Sequence, residues 1–292
     1  MSVLLKDKKE FFRSSSDSFK LLKIKRLDNF ISTFYSNISI MQMASQLHSA
    51  ISTRTKYKPL YVSSNNFISK NKMSYENFKN QCLKLFEYDI KERLTLYSDL
   101  KNLRATCQYC YTSSVNALDH YIDKDNYPEL SVFPDNLIPT CTNCNSKKNK
   151  KDVSFVYPYY SFLHNNDWIN CEITLKSDNY TQDKFNFEMC VNMSIPSANY
   201  FEKQILADLN QQFVVVGASE KSIQYNGTFF RLKINSIQKA KKNKLDKDFV
   251  KSLFVDTDIE TFKKLPDHTK NLSQYAVLLG LQSNYDFIWN NI

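Results

Sequence analysis

Two Cys-x-x-Cys pairs, Cys107/Cys110 and Cys141/Cys144, enclose a short stretch that carries Asp119-His120 and Asn136, and the second pair runs straight into Asn145. Each pair can offer two thiolates from one tight turn. With 30 residues between them, the pairs have the spacing of a tetrahedral Zn2+ site with four sulfur ligands. A closed four-sulfur shell leaves no coordination position for a reactive water, so zinc there would join two chain segments rather than do chemistry. Unpaired buried thiols are the alternative.

Zinc alone does not make an enzyme, and the residues between the pairs carry the rest. Asp119-His120 sets a carboxylate beside an imidazole in a chain with four His in all. In a β-strand their side chains point to opposite faces, so a catalytic pair needs an irregular turn or a metal ion gripping the geometry from one side. Spacing does not decide between these. The other histidines, His48, His164 and His268, have no comparable company and read as surface or structural residues.

The stretch resembles the HNH endonuclease family through Leu118-Asp119-His120-Tyr121, Lys124, Tyr127-Pro128-Glu129-Leu130-Ser131-Val132, Asn136-Leu137-Ile138-Pro139 and Cys141 to Lys148. Pro158-Tyr159 matches a weaker feature of a bacterial subgroup. The resemblance implies a two-stranded hairpin and a helix around one catalytic metal ion. It assigns Asp119 and Asn145 as ligands of a catalytic Mg2+ or Mn2+, His120 as the general base and Asn136 as the residue that orients the loop or His120. Lys148 and Lys124 become candidate phosphate contacts. Asp123 departs from the family, standing where many relatives carry Pro.

These residue types suit that chemistry. Imidazole accepts a proton near neutral pH, and a hydrogen bond to one ring nitrogen fixes which nitrogen faces the water. A carboxylate and an amide oxygen are hard ligands that leave positions for water and phosphate oxygens. A cation there stabilises charge growing on the phosphate and the leaving oxygen.

Several elements must position these groups. Phe78, Cys82, Leu85, Phe86, Ile90, Leu94, Tyr97 and Leu100 recur near helical period, predicting a helix over 75–103, broken once. Residues 1–72 carry weaker apolar clusters at Phe30–Phe34 and Ile38–Met43, consistent with one or two helices, and Val62–Asn71 reads as a connection. Val153–Tyr160, Trp168–Leu175 and Phe185–Met193 read as extended. A helical stripe follows through Phe201, Ile205, Leu209 and Phe213. Tyr225-Asn226-Gly227-Thr228 is a turn signal, and Phe230, Leu232 and Ile234 after it alternate as a strand would. Helices are expected over 249–254 and 272–281, with a short aromatic terminus from Tyr285. Cys82, Cys171 and Cys190 read as small buried residues, and Trp168 and Trp289 as core anchors.

The expected fold class is α+β, a ββα-metal core with structural zinc between mostly helical flanks. Three regions are expected: a mainly helical 1–103, a nuclease core over 104–160 and a mixed α/β region over 161–292. At 42% hydrophobic residues the chain can bury a core, and no apolar run reaches the length of a membrane span. The N-terminus lacks the long apolar segment of a signal peptide, which points to the cytosol. A net charge of +9 suits a polyanionic partner, although an AT-rich codon bias toward Lys gives the same sign. Lys239, Lys241, Lys242, Lys244 and Lys247 form a second basic cluster, read either as a solvated face or as a nucleic-acid contact.

The order of a helical N-terminal segment, this motif and a mixed C-terminal region also resembles the nuclease subunits of Septu-type bacterial anti-phage systems. That resemblance implies DNA cleavage inside a complex with an ABC-type ATPase partner. A stand-alone restriction-type or RNA-cleaving nuclease is the enzymatic alternative. A catalytically inactive, zinc-stabilised module that binds nucleic acid or protein is the other.

Overall fold

The computed structural model describes residues 68–91, 95–102, 104–131, 133, 136–150, 155–158, 168–176, 187–193, 200–265 and 270–292. The chain divides into two compact units, one formed by the described residues of Met1–Leu103 with Asn116–Thr140, the other by Arg104–Val115 with Cys141–Ile292. The expected segments before residue 68 lie outside the described residues, except that Ile68–Lys70 is helical where a connection was expected. His48, His164 and His268 lie outside them too.

In the first unit, helix α1 (Tyr75–Lys91) and helix α2 (Thr95–Asn102) realise the helix broken once. The Ser74 hydroxyl accepts the Asn77 amide at 3.2 Å and caps the start of α1, which buries Phe78 and Cys82 one turn apart. Strands β1 (Ala117–His120) and β2 (Leu137–Thr140) pair antiparallel, with Asp119 opposite Ile138 and His120 opposite Leu137. Between them runs a 3-10 turn, Pro128–Leu130, begun by the fixed φ of its proline. α1 packs on that turn, and α2 lies against both strands.

The second unit opens with the first cysteine pair and continues through helix α3 (Thr142–Lys150). An antiparallel hairpin follows, β3 (Ile169–Leu175) with β4 (Phe187–Met193). Its core face alternates as a half-buried sheet should: Ile169, Cys171 and Ile173 on β3, Phe187, Met189 and Val191 on β4. Cys190, expected inside, falls on the opposite phase of β4 and is exposed. Helices α4 (Tyr200–Val216), α5 (Ala218–Lys242), α6 (Lys247–Lys251), α7 (Thr257–Lys264), α8 (Leu272–Ser283) and α9 (Tyr285–Asn291) complete the unit, with a π-turn over Ser252–Asp256 between α6 and α7. α8 covers β3 and α5 reaches β4. Trp168 anchors the core as expected, meeting Tyr111 edge-on at 4.9 Å. The architecture is α+β, with two small antiparallel sheets flanked by helices.

A further expectation is overturned. The turn at Tyr225–Thr228 and the strand after it are the interior of the 25-residue helix α5. Phe230, Ile234, Ile237 and Ala240 are buried at helical spacing, whereas Leu232 is 61% exposed. Asn226 faces the core, its amide nitrogen donating to the hydroxyls of Ser222 (3.2 Å) and Ser273 (3.0 Å). Tertiary contacts thus override the local Asn-Gly preference.

Two glycines test this arrangement from opposite sides. A Cβ on Gly280 of α8 would stand 2.6 Å from the Cys171 carbonyl oxygen, a backbone atom that cannot swing away, and 2.9 Å from the Cys171 Cβ. Gly280→Ala is expected to destabilise by about 1–3 kcal/mol. A Cβ on Gly227 meets nothing within 4 Å, so Gly227→Ala should stabilise α5 by roughly 0.5–1 kcal/mol, where a hairpin turn would have lost stability. Urea denaturation of both variants reads the two signs.

Candidate metal centre and hairpin site

The cysteine pairs meet within the second unit. The four Sγ atoms lie within 4.8 Å of one another, all four residues are buried and none is in a disulfide. Tetrahedral coordination at zinc–sulfur distances sets sulfurs about 3.8 Å apart, so the donor set and its size fit a metal ion. Among the described residues this is the one such gathering of three or more His, Cys, Asp or Glu side chains.

Local backbone builds the cage. Residues 107–111 form a tight turn closed by the Tyr111 amide on the Cys107 carbonyl (2.8 Å), and Tyr111 takes a left-handed φ of 55° to complete it. A bridge between Thr106 and Ser114 and a 2.7 Å bond from the Cys107 amide to the Ser113 carbonyl pin its base. Cys141 and Cys144 sit at the start of α3. Each sulfur receives an N–H: the Tyr109 amide on Cys107 (3.4 Å), the Ser113 amide on Cys110, the Cys144 amide on Cys141, and the Lys221 ammonium on Cys144 (3.2 Å).

Such donors favour thiolate, but the thiols also compete. Burial, then hydrogen bonding to the other three sulfurs, holds Cys107 well above the ordinary thiol range. The hydrogen bond from Cys107, followed by those of Cys141 and Cys144, pulls Cys110 well below it. Cys141 is brought down to about 6, first by Cys107. Sulfurs this close do not all ionise unaided; a divalent ion lets all four carry charge together.

Buried Gln212 of α4 ties the first pair into the unit. Its amide nitrogen donates to the Tyr109 carbonyl (2.9 Å) and its oxygen accepts the Val156 amide (2.7 Å). Neither Gln212 nor Lys221 was legible beforehand, since each reaches the cage from a distant helix without a motif around it. Asn145 lies in the first turn of α3, its amide bonded to the Cys141 carbonyl at 3.1 Å. Lys148 stands 5.9 Å from the centre of the Tyr109 ring, a cation–π contact.

The hairpin residues belong to the first unit. Asp119 and His120 are regular strand residues and so point to alternate faces; Asp119 is 3% exposed, while His120 is half-buried. His120 Nε2 lies 2.9 Å from the Ser131 carbonyl oxygen. A carbonyl only accepts, so Nε2 carries the proton and, in the neutral ring, Nδ1 is the basic nitrogen. The Ser131 hydroxyl in turn donates to the Cys82 carbonyl of α1 (3.2 Å).

Asn136 is fully buried and staples the loop. Its Oδ1 accepts the Ile122 amide (2.7 Å), and its Nδ2 donates to the carbonyls of Ile122 and Leu130 (3.1 Å each). Asp123, where the family has Pro, also shapes this loop: its carboxylate accepts from the Asp125 amide (3.0 Å) and the Asn126 side chain (2.6 Å). Lys79 (3.2 Å) and Lys124 (3.8 Å) both approach the Asp125 carboxylate. The Lys79 hydrogen bond, ahead of lesser contributions from Lys124 and His120, holds that carboxyl below the usual range.

Part of the second basic cluster is used inside the fold. Lys241 donates to the Trp289 carbonyl of α9 and to that of Ile292 just beyond the helix, and Lys247 pairs with Asp286 at 2.7 Å. No helix among the described residues is long and apolar enough to cross a membrane.

No family model matches the chain, and no solved structure matches it. It is similar to the Septu protein PtuB of Bacillus thuringiensis, 36% identical over 63 residues that cover 22% of this chain and 24% of that protein. It is also similar to the protein ea31 of Escherichia phage lambda, 34% identical over 68 residues, covering 21% and 23%. The chain thus spans about a quarter of the length of these curated relatives.

Replacing Asn136 by Ala leaves the Ile122 amide and carbonyl without their partner, while the Leu130 carbonyl keeps the Phe133 amide (3.1 Å), and each orphaned group costs about 1–3 kcal/mol. Partial relaxation of the loop brings the expected total to roughly 2–4 kcal/mol, read by thermal or urea unfolding. Metal analysis of Cys107→Ser and Cys141→Ser should show loss of a bound ion that the wild-type chain retains through gel filtration.

Proposed function

We propose that the chain is a metal-dependent endonuclease of the HNH type, cutting phosphodiester bonds in DNA as the effector of a bacterial anti-phage complex. The observation that carries this reading is the Ser131 carbonyl on His120 Nε2, which leaves Nδ1 as the basic nitrogen, as a general base requires. The HNH-like motif and the partial likeness to a Septu protein point the same way.

The cysteine cage suits structural Zn2+, with Cys107, Cys110, Cys141 and Cys144 as ligands. For the catalytic ion, Asp119 and Asn145 are the candidate oxygen ligands, a set poor enough in protein groups to suit Mg2+ or Mn2+, which keep several waters and bind substrate phosphate. When bound, such an ion polarises the phosphate and stabilises the leaving oxygen. His120 takes the proton of the attacking water at Nδ1. Asn136 holds the loop that carries the Ser131 carbonyl and so acts as a positioning residue. Lys124 and Lys148 are proposed as phosphate contacts. An ABC-type ATPase partner and the cytosolic location belong to the same reading.

A second reading has one observation in its favour. Asp119 is nearly sealed from solvent, which suits a zinc-stabilised module that binds nucleic acid or protein without cutting it.

Purified protein, alone and co-expressed with its genomic neighbours, would be incubated with plasmid DNA and with RNA in Mg2+ or Mn2+. The expected result is DNA nicking or linearisation lost in EDTA and lowered about 10²- to 10⁴-fold by His120→Ala. Undiminished cleavage by that variant would remove His120 as the base. Nucleic-acid binding without cleavage in every condition would favour the second reading.

A further inference from the structure

We infer that Lys221 is a working part of the cysteine cage, donating a hydrogen bond to Cys144 and supplying positive charge that zinc leaves uncompensated. The inference rests on the zinc reading of the cage.

Zn2+ held by four thiolates is a dianion, and this one is buried. Burying net charge is unfavourable unless nearby dipoles or charges offset it. Backbone amides serve Cys107, Cys110 and Cys141, but they bring only partial charge. Cys144 is different: its donor is a full cation, 77 residues away in sequence, with Nζ 3.2 Å from Sγ. The charge of Lys221 also acts on Cys110 and Cys141, so its field covers most of the cage.

The position of Lys221 argues for the same role. It is the fourth residue of α5, its amide bonded to the Gly217 carbonyl at the helix start. A cation in the first turn opposes the helix dipole, so the local helix gains nothing from a lysine there. The side chain is half-buried, giving up part of its hydration. Anionic sulfur in hydrogen-bond reach offsets both penalties. Groups that hydrogen-bond to metal ligands tune how tightly the metal is held, and here that group links α5 to the cage.

The test uses the full chain loaded with zinc. Lys221→Met keeps the aliphatic stem and removes the charge, Lys221→Arg keeps the charge, and Lys242→Met at the exposed far end of α5 is the control. Zinc affinity is read by competition with a chromophoric chelator. Cobalt-loaded samples report the sulfur-to-metal charge-transfer band. Expected are a Kd for zinc raised about 10- to 100-fold in Lys221→Met with a shifted cobalt band, a much smaller change in Lys221→Arg and none in Lys242→Met.

Equal affinity and an identical band in Lys221→Met and wild type would overturn the inference while leaving the zinc cage standing. A wild-type chain that holds no zinc would remove both. If Lys221→Met is recovered unfolded, it is refolded with zinc in large excess. Rescue supports the inference, because mass action makes good a loss of affinity, and failure at saturating zinc overturns it.

Discussion

The meeting of four thiols within 4.8 Å is the constraint on which the organisation of the second unit depends. Two short segments, each able to turn by itself, become neighbours only if something holds mutually repelling sulfurs together. A divalent ion meets that need, and the N–H donors around the sulfurs are arranged as they would be for anionic ligands. In the sequence, Cys107–Cys110 and Cys141–Cys144 flank the stretch that carries β1, the Asn136-stapled loop and β2.

Within that stretch the polar groups form a chain of dependence rather than a scattered set. His120 is oriented by the Ser131 carbonyl, Ser131 is tethered to α1 through the Cys82 carbonyl, and the loop holding Ser131 is closed by Asn136. A buried side chain that satisfies three backbone groups defines a loop far more sharply than apolar packing alone. Asp123 fits this picture. A carboxylate accepting two local hydrogen bonds does by bonding what proline does by fixing φ.

What could be read from the sequence followed from how local each signal is. The cysteine pairs, the broken helix expected over 75–103, and the strands expected over 168–175 and 185–193 are encoded in spacing and alternation, and among the described residues the structure has them as the sulfur cluster, α1 and α2, β3 and β4. Asn226-Gly227 misled because its turn preference is local, while the contact that decides its fate, Asn226 on Ser273, joins residues 47 apart. Cys190 was misplaced because composition says that a cysteine favours the interior but not which phase of a strand it occupies. Asp119 and His120 were legible as residues; that a regular strand sends them to opposite faces was the condition the sequence left open. Lys221 and Gln212 had no signal, since an isolated Lys or Gln on a helix has the same appearance whether it meets water or a buried sulfur.

The long reach of Gln212 also bears on the chain entropy that the second unit gives up on folding. Each Cys-x-x-Cys turn closes over a few residues, and joining the pairs closes a loop of about thirty, an entropic penalty that grows only slowly with length. The Gln212 bond to Tyr109 spans 103 residues, and the Lys221 bond to Cys144 spans 77. Contacts of such separation carry a larger closure penalty than the local turns do. The sulfur cluster thus closes a shorter loop than the contacts that α4 and α5 make with it, and the packing of those two helices has to offset the larger loss of chain entropy.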